Sequence, residues 1–383
     1  MAESRVRRPV EQSVLMWAIS LLLLLGSVMV YSASSVTALR QTGHTWSVLA
    51  RHLVFVALGL GCMWLAARVP LAVWRDRLTP LLLVAAFAGL VALAVPGMPL
   101  AREVNGATRW ISLGPVSFQP SDVAKLALVL WLARFLVVNR REVGEWSLLK
   151  RAAFVVVPLF TLVLVGDDLG TTMLLGVVFV AMWFIAGAPV SQVTTIGAGM
   201  LGAAMLALTA LEGFRVTRVM AFLNPEEHAT GAGYQTLQSQ IGFATGGLWG
   251  SGPGASKAKW GFLPEAHTDF ILAVVGEELG LLGTIAIIGC IVAVVGAGIV
   301  IGVRCRDPFG RLVAFGISVW LGVQALVNLG VAVGALPTKG IPLPFVSSGG
   351  TAMIVSLLGV GVLLSIARTA PRRRPAMSGT ARG

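Results

Sequence analysis

Apolar runs long enough to cross a bilayer recur along almost the whole of this 383-residue chain. A helix needs roughly 20 residues to cross a hydrocarbon core about 30 Å thick. With 56% hydrophobic and only 12% charged residues, the chain has too little polar surface for a water-soluble domain. The sequence therefore predicts an all-α polytopic membrane protein. Its ten predicted transmembrane helices cover residues 14–34, 47–67, 78–95, 119–138, 152–166, 170–187, 190–211, 272–302, 311–334 and 346–367.

A polar interruption separates the fifth and sixth predicted spans. Gly166, Asp167 and Asp168 break the apolar stretch, and Gly170 follows them. Residues of this kind favour a tight turn between two helices. One continuous kinked helix is the alternative, and it would reverse the orientation of every later span.

Positive charge is concentrated on one side of this predicted topology. If the N-terminus is cytoplasmic, 19 of the 29 Lys and Arg residues fall in cytoplasmic segments, as the positive-inside rule requires. The net charge of +12 is thus explained by topology, and no nucleic-acid partner is expected. We expect a cytoplasmic tail over residues 1–13, a membrane domain over 14–367 and a basic cytoplasmic tail over 368–383.

Two predicted outer loops, residues 96–118 and the longer 212–271, stand apart from the spans in composition. The second contains a glycine-rich stretch, residues 246–254, which we call the Gly-rich segment. This stretch neither follows a strand nor carries the Lys-Ser/Thr pair of a P-loop, so nucleotide binding is not predicted.

Ionisable residues at the outer ends of the spans are costly in a membrane and often mark function. Arg109, in the first outer loop, is a candidate for gripping a phosphate, and an interfacial anchor with Trp110 is the structural alternative. Lys125 lies more than one turn inside span four. Asp122 precedes it by three residues on the same helical face, so the two can also form a structural ion pair.

The densest polar group lies at the start of span eight and contains Glu265, His267 and Asp269. If the helix begins near Asp269, Glu277 lies about 80° around it, which makes Glu277 a nearer companion than Glu278. The alternative for Asp269 is a helix cap or a first-turn acid.

Further cations face the same compartment. Arg215 and Arg218 leave span seven at helical spacing and suit an anionic headgroup, although they could equally snorkel to the interface. A proline- and glycine-rich turn before the last span carries Lys339 and is followed by Ser347. Seven outer cations are candidates for binding a phosphate-bearing substrate: Arg109, Lys125, Arg215, Arg218, Lys257, Lys259 and Lys339.

Eight motifs, in their expected order, resemble those of the SEDS family (shape, elongation, division and sporulation proteins). They lie at residues 28–34, 105–110, 119–125, 168–171, 233–235, 263–270, 276–280 and 336–350. The resemblance implies ten transmembrane helices with a large periplasmic loop between helices 7 and 8, and it places the essential acid at Asp269. Pro337-Thr338-Lys339-Gly340 is more similar to the division polymerases of this family than to its elongation polymerases.

The resemblance implies polymerisation of lipid II into glycan strands, with release of undecaprenyl pyrophosphate. An inverting displacement needs a base for the acceptor hydroxyl, for which Asp269 is the candidate. The leaving pyrophosphate needs cations, from the protein or from a divalent metal such as Mg²⁺ or Mn²⁺. No organic cofactor is expected. Supporting roles are expected for Asp122, Glu265, His267, Glu277 and Ser347.

The partners implied by the resemblance are a class B penicillin-binding protein, other division-complex proteins and membrane lipids. The implied location is the bacterial inner membrane at the division septum, with both termini cytoplasmic. A lipid II flippase is one alternative, but its charges should continue through the membrane as a path. A scaffold without catalytic activity is another, and the presence of Asp269, Lys125 and Arg109 argues against it.

Overall fold

Helices dominate the described part of this computed structural model, which covers residues 10–369 except 96, 100, 105–106, 115, 211–219, 223, 229–230, 232 and 339. The helices are α1 (Val10–Thr42), α2 (Ser47–Ala66), α3 (Leu71–Ala94, with a π-helical turn at Trp74–Leu78), α4 (Pro120–Val138), α5 (Trp146–Val165), α6 (Leu169–Ile185), α7 (Val190–Ala210), α8 (Tyr234–Gly246), α9 (Ile271–Arg304), α10 (Pro308–Ala332) and α11 (Thr351–Thr369). A 3₁₀ turn, Ala258–Trp260, follows α8.

Each of the ten predicted spans overlaps one helix, namely α1 to α7 and α9 to α11. Within the described ranges, seven helices are long and apolar enough to cross a membrane: α1, α2, α3, α5, α9, α10 and α11. Helix α6 is apolar but shorter, and α4 carries Asp122, Lys125 and Arg134. The all-α membrane architecture is confirmed, whereas the count of ten spans stays a prediction.

Several helix ends differ from the predicted span ends. Helix α1 continues to Thr42, α3 already begins at Leu71, and α5 already begins at Trp146. Hydropathy detects only the part of a helix that matches the hydrocarbon, so polar extensions escape it. Helix α11 begins at Thr351 and not at residue 346, since Phe345 and Gly350 adopt positive φ angles of 65° and 41° that no helix accommodates.

The predicted turn between spans five and six is confirmed. Helix α5 ends at Val165 and α6 begins at Leu169, with Asp167 at a φ of 61° between them. The single kinked helix is therefore excluded.

The first outer loop contains a small antiparallel sheet that the sequence analysis did not predict. Its strands are β1 (Ala101–Val104), β2 (Ala107–Leu113) and β3 (Val116–Phe118), in the order β1-β2-β3. Strand β2 packs against α3 and α4. The sheet thereby fixes the backbone of Arg109 above the outer ends of the helices.

Helix α4 is enclosed by neighbours along most of its length. Thirteen of its 19 residues are buried, and it contacts α3, α6, α10 and α11. Apart from Asp122, Lys125 and Arg134, the helix is largely apolar on all sides, which suits such a central position. Its first two turns, which carry Asp122 and Lys125, therefore lie inside the bundle.

The Gly-rich segment fills a break in α9. Gly280 has a φ of 67° and a ψ of −164°, a conformation open essentially to glycine alone, so the helical hydrogen bonds stop there. The freed carbonyl of Glu277 accepts from the amide of Ser251 at 2.9 Å, and the freed amide of Leu281 donates to the carbonyl of Gly247 at 2.9 Å. The glycines of this segment thus let its backbone approach the backbone of α9 closely.

Candidate active site

Asp269 lies in a turn immediately before α9. The carbonyl of Glu265, a residue with a φ of 56°, accepts from the amides of Thr268 and Asp269, both at 3.1 Å. The N-cap position of α9 is Phe270, so Asp269 is not the helix cap. Its side chain is half-buried, and its carbonyl accepts from Nδ2 of Asn328 at 2.9 Å. The turn thus presents the carboxylate from a fixed backbone.

The carboxylate of Asp269 and the guanidinium of Arg109 meet at Gly340. A Cβ atom built on Gly340 would lie 3.3 Å from Oδ2 of Asp269 and 3.8 Å from Nη1 of Arg109. Residues that are 160 positions apart in the sequence therefore border one point beside Gly340. This convergence is the geometric centre of the candidate site.

Arg109 also holds the turn between α5 and α6. Its Nε donates to the carbonyl of Gly166 at 3.4 Å, and its Nη2 donates to the carbonyl of Asp167. A guanidinium has five N–H donors, so these bonds leave donors for an anion. The structure therefore shows that Arg109 anchors the α5–α6 turn, and phosphate binding by its remaining donors stays a prediction.

Asp122 and Lys125 form a buried ion pair on α4, as their spacing predicted. Their charged atoms lie 2.7 Å apart, and each side chain is only 4% exposed. Nζ of Lys125 also donates to Oε1 of Gln324 at 3.2 Å and lies 5.6 Å from the ring centre of Trp320. Substrate binding by Lys125 stays a prediction, because its ammonium is engaged by these three groups.

Asp168 ties the outer ends of α4 and α6 together. Its carboxylate accepts from the amide of Thr171 at 3.0 Å, which caps α6. It also accepts from Oγ of Ser121 and Nε2 of Gln119, each at 3.1 Å. The motif around residues 119–125 is thereby fixed to the α5–α6 turn that Arg109 holds.

Glu277 and Glu278 are both buried and bind the outer loop. Glu277 accepts from Oγ of Ser256 at 2.5 Å and from the amide of Lys257 at 2.8 Å. Glu278 accepts from Oγ of Ser32 at 2.6 Å and from the amide of Ser256 at 3.2 Å. The hydrogen bonds that the structure shows for Glu277 therefore support the outer loop, and its expected support of Asp269 stays a prediction.

The remaining supporting residues shape the two turns beside Asp269. The carbonyl of His267 accepts from the amide of Ser348 at 3.1 Å, and burial lowers the pKa of its imidazole, opposed by the carboxylate of Glu265. Oγ of Ser347 accepts from the amide of Leu343 at 2.8 Å and closes the turn before α11. Their contacts are thus mainly structural.

The other predicted cations are not gathered at this point by any contact shown. The side chain of Lys257 is exposed, and Nζ of Lys259 donates to the carbonyl of Gly254. Arg215, Arg218 and Lys339 lie outside the described residues. Across the described ranges, no three His, Cys, Asp or Glu side chains come together as metal ligands.

Two polar residues of α10 were missed by the sequence analysis. Gln324 donates from Nε2 to the carbonyl of Pro342 at 2.8 Å, and Asn328 donates to the carbonyl of Ile341 at 2.9 Å. They are four residues apart on one helical face in an otherwise apolar span. Two polar residues at helical spacing inside a membrane helix are the signal by which the sequence could have identified them.

Comparisons with known proteins agree with this architecture. The model of the cell cycle protein family FtsW/RodA/SpoVE matches residues 13–372. A probable peptidoglycan glycosyltransferase FtsW of Idiomarina loihiensis is 40% identical over 95% of this chain and 88% of its own length. Another, of Coxiella burnetii, is 41% identical over 90% of this chain and 93% of its own length.

Solved structures show the same fold. A chain of a peptidoglycan synthase complex, in a study of how polymerization and crosslinking are coordinated, superimposes with a TM-score of 0.76 at 28% identity, covering 93% of this chain and 97% of that one. The rod shape determining protein RodA of Thermus thermophilus gives a TM-score of 0.65 at 25% identity, covering 94% and 97%. This chain belongs to the FtsW/RodA/SpoVE family, the SEDS proteins.

Proposed function

We propose that this membrane protein is a peptidoglycan glycosyltransferase that polymerises lipid II into glycan strands during septal wall synthesis. The meeting of the Asp269 carboxylate and the Arg109 guanidinium at Gly340 carries the proposal, because it pairs a base with a cation. The glycosyltransferase names of relatives about 40% identical to this chain support the reaction class.

The proposed step is a single inverting displacement. The acceptor hydroxyl gives its proton to the carboxylate of Asp269 as its oxygen bonds to the anomeric carbon of the donor. The bond from that carbon to the pyrophosphate breaks, and the leaving group takes the electron pair. A pyrophosphate is a good leaving group once its charge is neutralised, which is the role of Arg109 and the neighbouring outer cations.

A divalent cation fits this site only with help from the substrate. Asp269 could supply one oxygen ligand and the lipid phosphates the others, as is common for Mg²⁺. When bound, Mg²⁺ or Mn²⁺ would neutralise developing charge on the pyrophosphate. Loss of polymerisation with EDTA and its return with either ion alone would support this part of the proposal.

The cellular setting follows from the relatives. Relatives that carry the name FtsW favour a role in cell division over a role in cell elongation. The synthase complex favours a crosslinking partner, which we propose to be a class B penicillin-binding protein, together with other division proteins. The protein lies in the inner membrane with both termini in the cytoplasm. In this topology Asp269 faces the periplasm, where lipid II is polymerised.

The test is strand synthesis from purified lipid II, with and without the cognate penicillin-binding protein. We expect polymer from the wild type and a loss of at least about 100-fold in Asp269→Asn, since general base catalysis contributes roughly 10²–10⁴-fold. Glu226→Gln is the matched control, because Glu226 is an exposed acid of the same outer region. Normal synthesis by a folded Asp269→Asn protein would reject the base assignment. No synthesis by the wild type, even with its partner, would reject the polymerase.

A further inference from the structure

Asn328 joins two loops that border the candidate site. It lies on α10 and is 1% exposed. Its Nδ2 donates to the carbonyl of Asp269 and to the carbonyl of Ile341, both at 2.9 Å. Only the NH₂ end of an asparagine can donate twice, so these two acceptors fix the orientation of the amide.

The two carbonyls belong to the two loops that border the site. One belongs to Asp269 itself, and the other to the residue directly after Gly340, which faces both the Asp269 carboxylate and the Arg109 guanidinium. The amide of Ser348, which donates to the carbonyl of His267, is a second link between the same two loops. Asn328 is thus the side chain that fixes both loops to one membrane helix.

The chemistry of this position needs an amide. A carbonyl shielded from water costs free energy when it loses its donor, so an apolar residue at 328 would remove the Asn328 donor from the buried carbonyl of Ile341 and from the part-buried carbonyl of Asp269. A carboxylate would face them with oxygen atoms. Oδ1 of Asn328 has no hydrogen-bond partner within the described ranges, so the contacts that this side chain makes are those of its NH₂ group.

We infer that Asn328 is a positioning residue for Asp269 in the proposed glycosyl transfer. It acts through the Asp269 carbonyl and does not touch the substrate. By fixing the backbone of Asp269 to α10, it sets how far the carboxylate lies from Arg109 and from the acceptor hydroxyl. This inference rests on the proposed function, but its geometric part can be measured without activity.

The kinetic test compares Asn328→Asp and Asn328→Ala with the wild type in the lipid II assay with partner protein. We expect kcat to fall roughly 10- to 100-fold with KM for lipid II within about twofold, because a displacement of about 1 Å can cost 10²-fold in rate. Ser239→Ala is the matched control. It removes the 2.5 Å bond from Oγ of Ser239 to the carbonyl of Ala332, which is also buried and at the outer end of α10.

Hydrogen exchange supplies a readout independent of catalysis. In Asn328→Ala, the amides of Thr268, Asp269 and Ser348 should exchange at least about 10-fold faster, whereas Ser239→Ala should leave them unchanged. If the wild type makes no polymer, the proposed function fails, and exchange still tests the anchoring. Unchanged exchange at these amides, or folded Asn328 variants with the kcat of Ser239→Ala, would overturn the inference.

Discussion

Within the described residues, four acidic side chains are almost fully buried, and each accepts from a specific donor, although Oδ2 of Asp122 has no hydrogen-bond partner there. Asp122 pairs with the ammonium of Lys125, and Asp168 accepts from the backbone amide of Thr171. Glu277 accepts from the backbone amide of Lys257, and Glu278 accepts from the backbone amide of Ser256. A buried charge is tolerated only when it is paired and hydrogen-bonded, so these carboxylates serve structure. Asp269 differs because it is half-buried, which suits a group that must meet a substrate.

The ion pair on α4 gives a prediction that separates stability from catalysis. Lys125→Met should destabilise the protein by about 3–5 kcal/mol, because it leaves the Asp122 carboxylate buried without its cation. The double variant Asp122→Leu/Lys125→Met should recover most of that loss. Thermal unfolding in detergent measures both.

Polymerisation by the same double variant decides the role of Lys125. Wild-type activity would show that the ammonium serves stability alone. A stable double variant without activity would instead support the predicted contact of Lys125 with the substrate.

His267 predicts a loss of stability in mild acid. Burial places the pKa of its imidazole below the ordinary 6.5, so the unfolded chain binds a proton before the folded chain does. The stabilising contribution is present above pH 6.5 and is lost as the pH falls toward the lowered pKa. We expect the unfolding temperature to drop between about pH 7.5 and about pH 5.5, and less so in His267→Gln.

His44→Gln is the control for this pH dependence, since His44 is an exposed residue of the outer surface. It should retain the wild-type slope of unfolding temperature against pH. An equal slope in His267→Gln would contradict the role of His267.

At the level of elements, α9 and the Gly-rich segment form one unit. The break at Gly280 frees backbone groups that the segment satisfies, and the carboxylates of Glu277 and Glu278 bind residues just after it. A buried helix break would otherwise leave costly unpaired amides and carbonyls. Both the backbone of α9 and two of its side chains therefore hold the outer loop in position.

Gly280→Ala tests this unit. An alanine there would need a positive φ, and its Cβ would lie 2.5 Å from the carbonyl oxygen of Leu248. We expect a loss of about 2–5 kcal/mol in stability, from backbone strain of about 1–3 kcal/mol and from overpacking. Thermal unfolding provides the measurement.

Gly289→Ala is the matched control on the same helix, because a Cβ at Gly289 meets nothing within 4 Å. It should leave stability unchanged or raise it by up to about 1 kcal/mol. Equal effects of the two substitutions would show that Gly280 is not a special position.

Across the whole molecule, the sequence predicted the helices that the bilayer requires, but it did not predict the contacts between residues far apart in the chain. Helices were predictable because a membrane forces every backbone group into internal hydrogen bonds. The position of Asp269 before span eight was predictable from its motif. The partners of Arg109 lie more than 50 residues away in the α5–α6 turn, and those of Asn328 lie in two loops, so no local pattern shows them. The short strands of the first outer loop likewise lack a clear local signal.

The topology itself gives the last prediction, because α4, α6 and α7 are not among the seven helices that are long and apolar enough to cross a membrane within the described ranges. Single cysteines are placed at three exposed positions, Arg141→Cys, Ser191→Cys and Glu227→Cys, after Cys62, Cys290 and Cys305 are replaced by alanine. With ten spans, a membrane-impermeant maleimide should label only Glu227→Cys in intact spheroplasts. Permeabilisation should expose all three cysteines. Ser191 lies in the first turn of α7, and Glu227 lies beyond its C-terminal end, so labelling of both from outside would remove α7 from the membrane. Labelling of Arg141→Cys from outside would reverse the orientation on which the periplasmic placement of Asp269 depends.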